Sequence, residues 1–542
     1  MTGKRGAVAA ALMGVTVSMA AAAAPAGAPA AAARNDTTTV VRTEDGRVRG
    51  IRTAGHRVFL GIPYAGAPKG AHRWAPPRPV RPWKGVRDAT EPGPLCPQVP
   101  SQYADVSSLE EDCLVLNVTA PAPSVSRRRA PVMVWIHGDG TVGGGSLFDA
   151  RRLAARGVVV VTVNYRLGVF GGFAHPGLEG SGTFALQDQQ AALRWVRRNA
   201  AVFGGDPGRV TVAGSSFGAA AITAHLVSPG ARGLFHRAIL SSGEGMMDMP
   251  AGVMGPGIPA YPWYTWRTGR EMADTGVTTA RALGCSDPVP QRALRCLRAL
   301  PVKKVLEMPH VMNLFQAFAF GNRVLPELPE EPLRAGRFPR IPVLSGATRD
   351  EHRLFVGMLY DAVGRVFTED DYDRALDTAF GALAGTVRDR YPADGFASPA
   401  LAWATVVTDR MWARGTWAQN SALGRHTPTY AYEFADRDAP MYLPLPGGFP
   451  FGAYHAGDTP YLFEDKEATS RFTPAQVRLS DTMTDYWARF ARTGTPNGPG
   501  LPKWPRFMPE ADIPYTQSLA PDHIGPVDYA AGHRLAFWHR LP

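Results

Sequence analysis

Five residues form a pattern suited to nucleophilic chemistry: Gly214-Ser215-Ser216-Phe217-Gly218 spells Gly-x-Ser-x-Gly. Before it, Val210, Thr211 and Val212 are β-branched, as in a buried strand. After it, Ala219 to Val227 reads as a short apolar helix. A serine in so tight a strand-to-helix turn is held in strained backbone geometry, with its hydroxyl pushed out above the sheet edge. Glycines flank it because side chains there would clash. The helix N-terminus beneath favours negative charge that develops in a reaction. In a chain with 58 glycines the pattern alone is weak, so its weight comes from its setting and its partners.

A serine hydroxyl needs a base to take its proton and a third group to orient that base. With a serine in such an elbow, the acid and the histidine follow in that order, each on a loop after a strand. Gly346-Ala-Thr-Arg-Asp-Glu351 follows an apolar strand ending at Ser345 and offers two adjacent carboxylates, Asp350 and Glu351. Far downstream, His455 lies in the glycine-rich turn Gly452-Ala-Tyr-His-Ala-Gly457. It competes with 12 other histidines among the 13 present. His225, in the nucleophile helix, and His137, at the start of a glycine loop, are expected near the site for structural reasons.

These residues require a scaffold of strands and helices. Residues 40–60 alternate Val with Arg and Thr around Asp45-Gly46, which predicts an edge hairpin. Proline is dense from Pro63 to Thr90, so an extended segment is expected there. Pro131–Ile136, Gly157–Asn164, His236–Ser242, Arg340–Ser345 and Thr429–Phe434 read as buried strands, and Glu111–Asn117 starts another. A helix is expected from about Leu186 to Phe203. A second runs from Thr473 to Gly494, with Pro474 at its first position and Gln476 placed to close a capping box. Buried strands alternating with helices indicate an α/β sheet covered on both faces. The stretches 244–335 and 352–450 interrupt that alternation and are expected to wall and lid a pocket.

The 542 residues, 45% hydrophobic and 19% charged, describe a globular chain rather than a disordered one. The net charge of +11 comes mostly from scattered arginines, with Arg127-Arg128-Arg129 as the tight cluster, so no nucleic-acid partner is expected. Lys4 and Arg5 precede an apolar run from Gly6 to Ala24, followed by small residues and prolines to Ala33. This predicts a secretory signal peptide over 1–33, cleaved between Ala24 and Ala33, and a catalytic domain over 34–542 in a secreted, extracellular protein. No later segment approaches about 20 apolar residues, so no stable membrane insertion is expected. The four cysteines, Cys96, Cys113, Cys285 and Cys296, suit disulfides in an exported chain, and three pairings are open. They lack a Cys-x-x-Cys spacing and a histidine cluster, so no metal is expected; the chemistry needs no cofactor.

With these residues in place, the chain resembles the type-B carboxylesterase family, the α/β-hydrolases that include carboxylesterases, cholinesterases and some lipases. The resemblance runs from about Val40 to the C-terminus. It is carried by Phe59-Leu-Gly-Ile-Pro-Tyr-Ala65, Glu111-Asp-Cys-Leu-Val-Leu-Asn117, Val132-Met-Val-Trp-Ile-His-Gly138, Asn164-Tyr-Arg-Leu-Gly168, Phe203-Gly-Gly-Asp-Pro207, Arg237-Ala-Ile-Leu-Ser-Ser-Gly243 and Phe490-Ala-Arg-Thr-Gly494. It implies an α/β-hydrolase fold, with a mostly parallel central sheet, helices on both faces and large insertions around an active-site gorge. It implies Ser216 as nucleophile, Glu351 rather than Asp350 as acid, and His455 as base, with Ser242 supporting the triad. It implies an oxyanion hole from the N–H groups of Asp139, Gly140 and Phe217, and the local disulfides Cys96–Cys113 and Cys285–Cys296. The substrate class implied is a small-molecule carboxylic ester.

Three positions depart from the family pattern. Asp139 replaces a glycine, Ser215 replaces a glutamate and Phe217 replaces an alanine. A carboxylate beside a developing oxyanion is expected to be unfavourable unless it turns away to an arginine or water. Phe217 is expected either to narrow the acyl pocket or to pack on the core. The Cys96–Cys113 loop contains no tryptophan, which argues against cholinesterase activity. A lipase acting on acylglycerols and a catalytically impaired esterase-like binding protein are the rival readings.

Overall fold

The apolar runs form the middle of a large sheet. In the computed structural model, which describes residues 37–123, 129–243 and 245–541, Val159–Val163, Ala130–Ile136, Gly205–Ser215, Arg237–Ser241, Val343–Thr348, Thr429–Phe434 and Thr516–Ala520 lie side by side and parallel. The expected leader over 1–33 falls outside the described residues, as do Arg127 and Arg128.

Alternation along the strands sends side chains to two cores. Val132, Val134 and Ile136 join Leu186, Leu193, Val196 and the nucleophile helix on one face. Met133 and Trp135 join Leu479, Met483, Trp487 and Phe490 on the other. Helices Phe184–Asn199 and Phe217–Val227 therefore cover one side and Pro474–Thr493 the other. The result is a mostly parallel sheet with helices on both faces: an α/β-hydrolase fold. The predicted capping box is present, with Thr473 N–H on Gln476 Oε1 at 2.8 Å and Gln476 N–H on Thr473 Oγ1 at 3.3 Å.

The edges are antiparallel. Thr37–Arg42 and Arg47–Arg52 pair across the Asp45-Gly46 turn as the sequence predicts. The 63–90 stretch is extended apart from one turn at Gly70–His72 and the short strand Val86–Asp88. At the far edge, Thr516–Ala520 pairs with His523–Val527, a hairpin the sequence reading does not contain. Thr-Gln-Ser-Leu-Ala has little apolar signal, and the neighbouring strand Thr429–Phe434 supplies the partner that makes it a strand.

The inserts are more helical than their proline and glycine content suggests. Thr268 with Glu271 and Thr368 with Asp371 form capping boxes that start helices Gly269–Ala282 and Glu369–Phe380. Met247, Leu354, Trp403, Trp412 and Tyr454 belong to a third core built largely from these inserts.

After Ala130–Ile136 the chain moves to Val159–Val163 on one side, then returns to Gly205–Ser215 on the other. Such a reversal of strand order opens a crevice at the carboxyl ends of the two strands. The glycine loop from His137 and the turn at Ser216 both lie at that crevice.

Candidate active site

Ser216 sits between strand Gly205–Ser215 and helix Phe217–Val227 with φ 57° and ψ −126°, a conformation a side-chain-bearing residue rarely adopts. Its N–H donates to Ser241 O at 2.9 Å, and its carbonyl accepts the N–H groups of Ala219 and Ala220. The flanking glycines are sterically required: a Cβ on Gly218 would lie 2.2 Å from the Ile136 carbonyl oxygen, and one on Gly214 2.7 Å from the same atom. Ser216 borders two cavities. One, of about 550 Å³, is also lined by His455, His137, Phe148, Tyr442 and Leu445. The other, of about 30 Å³, is walled by Phe217, Tyr264, Thr265, Gln316 and Phe355.

The structure brings the two other members of the candidate triad together. His455 Nδ1 lies 2.5 Å from Glu351 Oε2, and both side chains are buried. Glu351 Oε1 accepts the Thr348 N–H at 2.8 Å, which fixes the carboxylate in its turn. A carboxylate at Nδ1 selects the tautomer with its basic lone pair on Nε2. Asp350 faces another way. It receives Arg437 through Nε and Nη2, each at 3.0 Å, meets Arg353 at 3.2 Å and accepts the Ala453 N–H at 3.1 Å. It therefore braces the loop that carries His455.

The loop expected to supply oxyanion donors runs on main-chain geometry. Asp139 has φ 62° and Gly140 φ 85°. The carboxylate of Asp139 turns back onto its own loop rather than to an arginine. Its Oδ1 accepts the N–H of Thr141 at 2.7 Å, the N–H of Val142 at 2.9 Å and the Thr141 hydroxyl. Burial pushes its pKa up, while these three donors oppose that shift. The Asp139 carbonyl accepts from Gln316 Nε2. Gln98 holds Gly143 from both sides, accepting its N–H at 2.7 Å and donating to its carbonyl at 3.0 Å.

At two of the expected positions the structure shows other contacts. The Gly140 N–H, expected to face an oxyanion, donates to Gly138 O at 2.8 Å in a γ-turn centred on Asp139. The buried Ser242 hydroxyl, expected to support the triad, has no hydrogen-bond partner among the described residues, and the Thr348 N–H holds Glu351 instead. The Phe217 ring packs on the core, stacked on Phe318 with centroids 4.4 Å apart, and also walls the small cavity. Its N–H lies in the first helical turn, where no intrahelical acceptor exists.

The other histidines near the site are buried and neutral. Burial lowers the pKa of His137 to about 4 and that of His225 to about 3. His225 bonds Gln189 Oε1 at 2.8 Å within the core. Residues that no local motif marks also converge here. Asp458, held by the Tyr432 hydroxyl at 3.2 Å, has its pKa raised to about 6 by burial and then by Glu351. Trp412 and Phe355 place their ring centroids 4.7 and 5.2 Å from the His455 imidazole. Asp458 follows His455 at short range and was readable; Trp412 reaches it through tertiary folding. Cys96–Cys113 and Cys285–Cys296 are both bridged. Among the described residues no group of three or more His, Cys, Asp or Glu side chains could hold a metal ion.

Residues 37–524 match the family model described as the Carboxylesterase family. The chain belongs to the carboxylesterase family. It is 34% identical over 545 residues to the cocaine esterase of Homo sapiens, covering 93% of this chain and 92% of that one. It is 34% identical over 499 residues to the para-nitrobenzyl esterase of Bacillus subtilis (strain 168), covering 88% and 94%. Among solved structures, a PNB esterase superposes with a TM-score of 0.73 at 32% identity, covering 93% of this esterase and all of that chain. A thermophilic PNB esterase superposes with a TM-score of 0.74 at 31% identity and the same coverage. The esterase hydrolyses carboxylic ester bonds, as its family does. No helix among its described residues is long and apolar enough to cross a membrane.

The large cavity of the esterase has an unusual charge balance. In a chain with 58 Lys and Arg against 47 Asp and Glu, no Lys or Arg among the described residues lines it, whereas Asp105, Asp139, Glu464, Asp465 and Glu467 do. Glu464 is paired with Arg152 at 2.7 Å and Asp465 caps a helix.

Proposed function

We propose that the protein is an exported serine esterase working through Ser216, His455 and Glu351. His455 Nε2 takes the Ser216 proton as Oγ attacks the ester carbonyl carbon. The carbonyl π-pair moves to oxygen and gives a tetrahedral oxyanion. Collapse expels the alcohol, which leaves with the proton from His455, and the acyl group remains on Ser216. Water, deprotonated by the same imidazole, repeats the sequence and releases the acid. Glu351 keeps the imidazole in the needed tautomer and stabilises its charged form. The Asp139 and Phe217 N–H groups are the proposed oxyanion donors; that of Gly140 joins them only by releasing Gly138.

The observation that carries this reading is the 2.5 Å contact between His455 and Glu351, at a cavity that Ser216 also lines. The unequal cavities suggest a small group on one side of the ester and a larger apolar one on the other, with Met441, Leu443 and Leu445 along the larger wall. With acidic groups and no cation in that wall, neutral or cationic esters are preferred to anionic ones. Export rests on the N-terminal sequence and is supported by two disulfides; N-terminal sequencing of the mature protein checks the cleavage between Ala24 and Ala33.

The deciding experiment is Ser216→Ala. Hydrolysis of a short aryl ester is expected to fall by on the order of 10⁶-fold with melting unchanged, and organophosphate labelling is expected to disappear. Unchanged turnover removes the assignment, and a wild-type serine that never labels favours a binding protein. Activity across acyl chain lengths, soluble against emulsified, separates an esterase from a lipase.

A further inference from the structure

Helices Pro399–Val407 and Arg414–Gly424 are joined without a break by a π-helical turn over Thr408–Ala413. Such turns interrupt the ordinary hydrogen-bond ladder and persist where they aim particular side chains. Here the turn aims Trp412, whose ring centroid is 4.7 Å from that of the His455 imidazole with planes 49° apart. The indole is itself held. Its Nε1–H donates to His352 Nδ1 at 3.3 Å, and His352 Nε2 lies 3.0 Å from the Val253 carbonyl. A carbonyl only accepts, so Nε2 carries the hydrogen and Nδ1 remains an acceptor for the indole. Burial keeps His352 neutral, with its pKa lowered to about 3.

The turn is anchored on both flanks. Thr408 Oγ1 accepts the His352 N–H at 3.0 Å. Asp409 accepts from His533 Nδ1 at 2.7 Å and from the Tyr391 hydroxyl at 2.8 Å. Trp412 is absent from the walls of both cavities at Ser216, so its contact is with the base and not with the substrate.

We propose that Trp412, locked by His352, is a positioning residue for the general base: its ring fixes the His455 imidazole and steadies the charged form that arises each time a proton is held. An aromatic face within about 6 Å of a cation attracts it. The proposal rests on the triad reading above. The titratable groups facing His455 are Glu351 at Nδ1, His352 from the same segment as Glu351, and Asp458 from its own loop. Glu351 and Asp458 are unchanged in every variant below, and His352 in all but one, so differences between variants isolate the ring and its anchor.

The test is the pH dependence of kcat/KM on a short p-nitrophenyl ester for wild type, Trp412→Leu, Trp412→Phe and His352→Phe, with Ser216→Ala and His455→Ala as references. Trp412→Leu is expected to lower kcat about 10- to 100-fold with KM little changed, and to move the acidic limb down by about half to one pH unit as the imidazolium loses its aromatic neighbour. Trp412→Phe keeps a ring and is expected to shift the limb by less than half as much. His352→Phe frees the indole N–H and is expected to shift the limb in the same direction as Trp412→Leu. A folded Trp412→Leu with the limb in place and kcat within twofold overturns the proposal. If that variant does not fold, an unshifted limb in His352→Phe overturns it. Activity retained in Ser216→Ala or His455→Ala overturns the triad reading itself, a failure distinct from the first.

Discussion

The proposed acid–base half and the proposed oxyanion half of the site are held in different ways. Glu351 and His455 are buried side chains, clamped by the Thr348 N–H, by the loop-bracing ion pairs of Asp350 and by the rings of Trp412 and Phe355. The proposed oxyanion loop instead depends on positive φ angles at Asp139, Gly140 and Gly143 and on three distant amides, Gln98, Gln316 and Asn164. Where function resides in side chains, identity is restrictive. Where it resides in main-chain N–H groups, identity is free as long as the turn is kept. Asp139, Ser215 and Phe217 all depart from the family pattern on or beside the second half, and none removes a backbone donor.

The sharpest way to break this contrast lies in the two adjacent carboxylates. Glu351→Gln is expected to cost about 10⁴-fold in kcat through the wrong imidazole tautomer. Asp350→Asn, measured alongside, is expected to change kcat only a few-fold while lowering the melting temperature, because Arg437 and Arg353 lose their shared partner. Equal kcat losses would show that the two halves are not held as described.

On the other half, Asp139→Ala removes an acceptor of three donors at a residue with φ 62°. Loss of loop geometry is expected to cost about 10- to 100-fold in kcat, below or at the loss of one full oxyanion donor. Asp139→Asn keeps Oδ1 and is expected to stay within a few-fold of wild type. A rise in kcat for Asp139→Ala would restore the view that the carboxylate opposes the oxyanion.

The acid–base half also carries a charge clamp that pH can test. His533 lies between Asp409 and Glu433, each at 2.7 Å, and its pKa is raised to about 10, these two carboxylates outweighing the burial that opposes it. A cation whose folded pKa exceeds its unfolded value stabilises fully below the unfolded pKa, near 6.5, and that stability is lost as pH rises through about 10. Melting temperature is expected to fall between pH 6.5 and 10 more steeply in wild type than in His533→Gln. At pH 7 that variant is expected to lose about 3 kcal/mol, since two buried carboxylates lose the cation between them and keep only Arg534 at 3.1 Å and Arg349 at 3.5 Å. Parallel melting curves would refute the clamp.

The smallest contrast is between the bridges. Replacing either cysteine pair by serine is expected to cost about 2–3 kcal/mol. Only the Cys96–Cys113 loop carries Gln98, which grips Gly143, and Tyr103, which lines both cavities. Cys96→Ser with Cys113→Ser is therefore expected to lower kcat a few-fold, and Cys285→Ser with Cys296→Ser to leave it unchanged. Steady-state rates at a temperature where both variants are folded provide the check.

Much of this molecule is legible along the chain. The β-branched runs, the glycines around Ser216, the Thr473–Gln476 cap and the order serine, carboxylate, histidine are local signals, because steric limits and hydrogen-bond spacing act over a few residues. The helices of the inserts were legible in principle at Thr268–Glu271 and Thr368–Asp371, but the surrounding prolines and glycines obscure them. The strand Thr516–Ala520 was not, because it has little apolar signal of its own and one of its two partners, Thr429–Phe434, lies far off in the chain.

The sequence by itself determined the sheet core, the elbow that exposes one hydroxyl, and the family to which the chain belongs. Tertiary structure alone decided which of two neighbouring carboxylates meets His455, where the Asp139 carboxylate turns and whether the Gly140 N–H is available. The first depends on Glu351 and His455, 104 residues apart, meeting within hydrogen-bonding distance; the other two are contacts over two or three residues, in a turn that the distant Gln316 and Gln98 hold, and neither leaves a periodicity for a linear reading to detect.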